Sequence, residues 1–563
     1  MSKLFRWQVV ITLLGIALLG ALLAYLTFTF ATVIVPGAGG TYVEGLAGNA
    51  QYINPILCQY NQVDRELCSL IFNGLTKLNE RGEAIPDLAE RWEISDDCLV
   101  YTFYLRRDVL WHDEVPFSAD DVVFTVKAMQ DPGYRGVPYL AELWRSVEIA
   151  KVGPRTIKFT LSEPCAPFLD YTTIGLLPAH LLAEVPAEAL PNDPFNLHPI
   201  GTGLFKVEEV TAEYSLLQTN PLFYGPQPYL NKIEFRFYPN HESILGAYER
   251  GEVQGISRVL PQDLPKVVEA SSGLQFFSAR LPGYTLILLN LQDPELLFFQ
   301  DKLVRQALLY ATDRQELVDR VLKGQGLVAH SPVLPETWAY DNSVAGYEYN
   351  PQRAEDSLNE AGWRAPNLSA VVGDGNNNEE GSESVREKEG GKLAFTLLTD
   401  DDPLHVELAR EIARQWEAIG VKATLRAIGS GLVREYLVPR EFEALLIDLE
   451  LHGDPDPYPF WHSTQMNAEG QNYTGFISHE VDRLLEEARC ITDSGKRAEL
   501  YRRFQEIFAD EVPSLLLYYP IYTYAVDEKV KGVQLGPMGD PSDRFRNVTE
   551  WYIVTKRVVK LDK

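Results

Sequence analysis

The chain has 563 residues, with 79 acids against 51 bases and a net charge of −28. That length exceeds what one hydrophobic core fills, so two or three domains are expected, and a hydrophobic content of 45% is ordinary for a globular protein. A surface this acidic repels phosphate backbones, which argues against nucleic acid as a partner.

Lys3 and Arg6 precede an apolar run, Val9 to Val35, and no base follows for a long way. Roughly 27 residues at about 1.5 Å each exceed a hydrocarbon core of about 30 Å. Residues 1–41 are therefore read as an N-terminal anchor, with residues 9–35 in the cytoplasmic membrane and everything from about Pro36 outside. A cleaved signal peptide is the alternative. Cys58, Cys68, Cys98, Cys165 and Cys490 include no CxxC pair. Cys58 and Cys68 are near enough in sequence to bridge outside the cell, with buried unpaired thiols as the alternative.

From Tyr42 to about Ala279 short strands dominate, punctuated by Pro and Gly. Within this region, Leu99, Tyr101, Phe103 and Leu105 alternate with Val100, Thr102 and Tyr104 as in a half-buried strand after the turn Ser95-Asp96-Asp97. Ser118 then caps a helix that buries Val122, Val123 and Val126, with Asp120 and Asp121 at its positive end. From Tyr284 strands alternate with helices. Residues 366–391 are polar and glycine-rich and predict a mobile surface insertion. Beyond them, Leu393–Thr399, Leu404–Ile419 and Val421–Ile428 read as a βαβ unit with parallel strands, and Phe442–Leu449 adds another strand. Strands around Leu515–Tyr519 and Tyr522–Val526 return to the β-rich pattern of the first region. Crossings near Ala279–Tyr284 and Asp510–Ser514 would make a hinge.

Leu88-Ala89, Trp92, Tyr101-Thr102-Phe103, Leu105-Arg106, Trp111-His112-Asp113 and Pro116 to Val122 together resemble a run in substrate-binding proteins of ABC transporters, the dipeptide, oligopeptide and nickel group. Glu114 stands where that family usually has Gly. Further matching runs are Pro199 to Phe205, Asn220 to Leu230 and Ala361-Gly362-Trp363. The resemblance implies an α/β, bilobal clamp of the type II-like periplasmic-binding-protein kind. Its first lobe is 42–283, β-rich with an inserted subdomain; its second is 284–513, α/β, with the insertion 366–391; 514–563 return to the first. It implies capture of a peptide or similar small solute, delivery to ABC permease and ATPase subunits, a monomer, and no cofactor or metal.

Open α/β sheets bind ligands beyond the carboxyl ends of their strands. There Glu450, His452, Asp454, Asp456, Tyr458 and Trp461 crowd a proline-stiffened loop offering carboxylates for an ammonium and aromatic faces. A rigid surface turn is the alternative. In peptide-binding relatives the corresponding place carries Trp-x-x-Asp, and aligning on Asp454-Pro455-Asp456 puts Asp448 and Leu451 at those two positions. The amine anchor is therefore absent there, and Glu450 or Asp454 is expected to substitute. Gln59, Tyr60 and Asn61 are expected to frame the ligand from the first lobe, with Tyr284, Asn290, Trp338 and Tyr340 as further candidates near the crossing. No enzyme is expected: His241-Glu242 and His479-Glu480 lack the second His of a zinc protease, and Ser430 is in no nucleophile elbow. An extracellular hydrolase and a ligand sensor signalling through the N-terminal helix are the other readings.

Overall fold

The computed structural model describes residues 2–79, 82–269, 273–344, 346–365, 385–451, 453–467, 470–491 and 493–559. Two large buried clusters organise them. The first gathers Tyr42 to Phe235 with Tyr522 to Trp551, and the second runs from Tyr284 to Tyr519.

In the first, Ala89–Ile94, Val100–Leu105, Thr156–Leu161 and Val147–Gly153 form an antiparallel sheet in that spatial order. Tyr101, Phe103 and Leu105 face its core as the alternation predicts. Ser118 caps the helix Ala119–Gln130 by accepting from the Asp120 amide, and Asp121 accepts the Ser118 amide at 2.8 Å. Val122 and Val126 are buried, while Val123 is only half-buried. Glu114 holds the turn by adopting φ +70°, the left-handed conformation that glycine adopts freely.

The second cluster contains the predicted βαβ unit. Ala394–Asp400 pairs in parallel with Lys422–Ile428 across the helix Pro403–Glu417, and in parallel with Ala444–Glu450 on its other side. Gly283–Leu289 then runs antiparallel to Ala444–Glu450. All belong to one twelve-stranded sheet that continues into the first cluster.

What joins the clusters is Ser514–Asp527, one continuous 14-residue strand instead of the two predicted. Its first part pairs with Gly283–Leu289 and its last part with Leu274–Arg280. The change of core thus falls around Pro520, beside residues 280–283, and not at Asp510–Ser514, because Ser514–Tyr518 completes the ladder of the second core. Two adjacent crossings are what a hinge requires.

Of the predicted insertion, residues 366–384 lie outside the described residues. Residues 385–391 do not behave as a loose loop. Val385 and Arg386 are buried, Arg386 donates to the carbonyls of Ile419 and Trp363, and Glu387–Lys388 pairs with Gly391–Lys392. The buried guanidinium makes this stretch part of the second core's edge.

Ser2–Ala31 forms one helix. Among the described residues no helix is long and apolar enough to cross a membrane, so the expected span is not borne out.

Candidate ligand-binding cleft

A cleft of about 2080 Å³ lies between the two cores. Gln59 and Tyr60 line it from the first core; Tyr284, Asp448, Glu450 and Trp461 line it from the second. Gln59 and Tyr60 sit on the single turn Cys58–Tyr60, and the next residue, Asn61, caps the helix Gln62–Ile71 by accepting from the Val63 amide. Tyr284, second in the strand Gly283–Leu289, stands opposite Leu449, so the floor is set by sheet register.

Asp448 and Glu450 are two apart on one strand and therefore point to the same side, which here is the cleft. Asp448 has 53% of its side chain exposed and accepts from the Thr285 hydroxyl. Its other oxygen lies 3.3 Å from His405 Nε2, and His405 Nδ1 lies 2.9 Å from Asp400. Burial alone would lower the pKa of His405, but hydrogen bonds to Asp400 and Asp448 and their charges carry it up to about 10. Desolvation at the cleft wall pushes the Asp448 carboxyl up, but the imidazolium behind it outweighs this through its hydrogen bond and charge and holds the carboxyl below its ordinary range. In the sequence Asp448 stands out only as the occupant of an aligned tryptophan's place. Its alternation with Glu450 is the available clue.

The loop that follows is a braced structure. Asp454 receives two hydrogen bonds from Arg497, at 2.5 and 2.6 Å. Asp456 accepts from Arg489 Nε at 2.7 Å, and the Arg489 guanidinium lies 3.8 Å above the Tyr458 ring. Tyr458 also stacks on His462 with centroids 4.1 Å apart. These carboxylates border the cleft with their charge already matched, which corrects the expectation that Asp454 or Asp456 stands ready for a ligand ammonium. Tyr458 faces the loop's own packing. Trp461 is 2% exposed, set edge-on to Phe508, and lines the floor. His452 lies outside the described residues.

Four other candidates have structural partners and do not line the cleft. Asn61 caps its helix. Asn290 donates to the carbonyls of Arg440 and Phe442 and so ties two loops. Trp338 packs on Tyr501 with Arg497 4.9 Å above its ring. Tyr340 packs partly buried against the second core.

On one side of the cleft the two cores touch. The Ala166 amide donates to the Arg489 carbonyl at 3.2 Å. Gly453, at φ +66°, lies against Asp170, and a Cβ there would be 2.5 Å from Asp170 Oδ2. Burial, and then the Asp454 charge, push Asp170 up to about 8.

A cleft walled by two cores and spanned by two adjacent strand crossings defines a clamp for a solute. The chain belongs to the bacterial extracellular solute-binding proteins, family 5, whose "family 5 Middle" model matches residues 83–471. It is 30% identical over 532 residues to the oligopeptide-binding protein AppA of Bacillus subtilis, covering 92% of each chain. The structure of that AppA in complex with a nonapeptide superposes with a TM-score of 0.72 at 27% identity, over 92% of this chain and 100% of the other. NikZ from Campylobacter jejuni in complex with Ni(L-His) superposes at 0.73 and 28% identity, over 91% and 99%. Members of the family are extracytoplasmic binding proteins, and this chain is the substrate-binding component of an ABC importer.

Proposed function

We propose that the solute is a peptide, held between the two cores with its amino terminus at Asp448 and Glu450 and its backbone along Cys58–Tyr60, then passed to the permease of an importer driven by separate ATPase subunits. The carrying observation is the pair of carboxylates on one face of Ala444–Glu450, opening on a cleft of about 2080 Å³. That volume is about twice the upper range of ordinary small-molecule pockets, which suits a peptide of several residues. Leu451, at the aligned anchor position, offers no charge, so the neighbouring carboxylates replace it. The likeness to AppA with its nonapeptide supports this reading.

The test is calorimetry with one peptide carrying either a free or an acetylated amino terminus. Glu450→Gln and Asp448→Asn should each weaken the free-amine peptide about tenfold, about 1.4 kcal/mol, and leave the acetylated peptide unchanged. Equal losses for both peptides would refute the anchor. Recovery of the peptide intact after incubation separates binding from hydrolysis.

Membrane attachment or removal of a leader is the role read for Ser2–Ala31. Its apolar side chains from Val9 to Leu23 are exposed, an arrangement that water disfavours. The mass of the mature protein and its partition between membrane and soluble fractions distinguish the two. Three further readings go with the proposal: monomeric action, no cofactor, and lobes spanning 42–283 with the chain after about Pro520, and 284 to about Pro520.

A further inference from the structure

Four of the five cysteines fall into two pairs in space. Cys98 and Cys490 meet where the cores touch, but there the Cys98 sulfur approaches the Cys490 carbonyl, at 4.0 Å. Cys58 and Cys68 are different. Both are buried free thiols, at 3% and 6% exposure, both line the cleft, and Cys58 is among the groups that act on the Cys68 thiol.

The backbone that carries them is held on both sides. The Cys58 amide donates to the Asn54 carbonyl at 2.9 Å, and Arg65, on the helix that carries Cys68, donates to the Gln59 carbonyl at 2.7 Å. The turn Cys58–Tyr60 and the helix Gln62–Ile71 are thus docked against each other with a buried thiol on each. A disulfide needs its two cysteines brought close by the backbone, and this docking holds the two segments that carry them together.

We infer that Cys58 and Cys68 form a disulfide in the mature protein, stapling the cleft-lining turn to the helix behind it. The inference rests on the extracytoplasmic placement of the family, where disulfides persist. The oxidant is a disulfide of the thiol–disulfide exchange class, either glutathione disulfide or an oxidoreductase. One cysteine thiolate attacks it, forming a mixed disulfide and expelling one thiol. The second cysteine thiolate then attacks the mixed disulfide and expels the other, so two cysteine thiols are oxidised while one disulfide is reduced to two thiols, with two protons passed on. Burial holds the Cys68 thiol protonated in the folded protein, which favours closure of the bridge before the core closes.

A staple here has a consequence for binding. Gln59 and Tyr60 stand between the bridge and the helix cap at Asn61, so the bond restricts the part of the first core that faces the solute. Fixing a binding segment before the ligand arrives reduces the ordering that binding must impose.

The full chain, equilibrated with glutathione disulfide and reduced glutathione, is alkylated without reductant, digested and mapped by mass spectrometry. The expected product is a linked Cys58–Cys68 peptide pair with Cys98, Cys165 and Cys490 alkylated. Five alkylated cysteines, or a Cys98–Cys490 link in its place, overturns the inference. As a second reading, reductant should lower the melting temperature of the wild type by a few degrees and leave a Cys58→Ser/Cys68→Ser variant unmoved; an equal response in both also overturns it. Peptide affinity is measured separately, so a failed peptide assay with the link intact refutes only the ligand.

Discussion

Arg497 holds Asp454 by two hydrogen bonds, 2.5 and 2.6 Å long, with only 4% and 12% of the two side chains exposed. Burial alone would favour a neutral guanidinium, but the facing carboxylate outweighs it and keeps Arg497 charged. Removing one member strands the other. Asp454→Ala should destabilise the protein by about 3–5 kcal/mol in denaturant unfolding. Replacing both residues with apolar side chains should recover part of that loss. An Asp454→Ala protein of unchanged stability with abolished peptide binding would instead make Asp454 a ligand anchor.

His405 makes stability depend on pH in a defined direction. Its folded pKa, about 10, lies above the ordinary value of 6.5. Its contribution is therefore complete below about pH 6.5 and lost as pH rises through 10, with a slope of up to about 1.4 kcal/mol per pH unit from this group. Denaturant midpoints measured from pH 6 to 10 should fall more steeply for wild type than for His405→Gln.

Gly453 is where the second core admits Asp170 of the first. Alanine there meets Oδ2 at 2.5 Å and must also take φ +66°. Gly453→Ala should weaken peptide binding about tenfold or more by opposing closure, about 1.4 kcal/mol. Small-angle scattering should show less compaction on adding peptide. Compaction equal to wild type would show that this contact does not limit closing.

Glu114 offers a gain. Its φ of +70° in the turn closed by its amide on the Trp111 carbonyl suits glycine. Glu114→Gly should stabilise the chain by about 0.5–1 kcal/mol, read as a higher denaturant midpoint with unchanged peptide affinity.

Much of the scaffold is legible locally. Alternation over Leu99–Leu105, the cap at Ser118 and the βαβ unit at 393–428 depend on contacts within a few residues or on strand and helix periods, which a sequence displays directly. The site is less legible. Asp454, Asp456, Asn61 and Asn290 are the polar residues a binding site would use, yet each is occupied by a partner, and for all but Asn61 that partner is distant in the chain. Asp448 does not stand out as a site residue because its value comes from His405, 43 positions before it and on another element.

By itself the sequence determined the class of protein through its resemblance to a known family, and determined the α/β character and most segments of each core because hydrophobic period, capping and turn chemistry are local. Tertiary structure alone decided the rest. It carried Ser514–Asp527 as one strand through both cores, set the crossing around Pro520, and put Cys58 and Cys68 on two docked elements at the cleft. It also paired Asp454 with Arg497 and Asp456 with Arg489 at the edge of the cleft, and set Asp448 beside His405. Charge pairing and burial depend on where distant segments come to rest, and no local pattern encodes that.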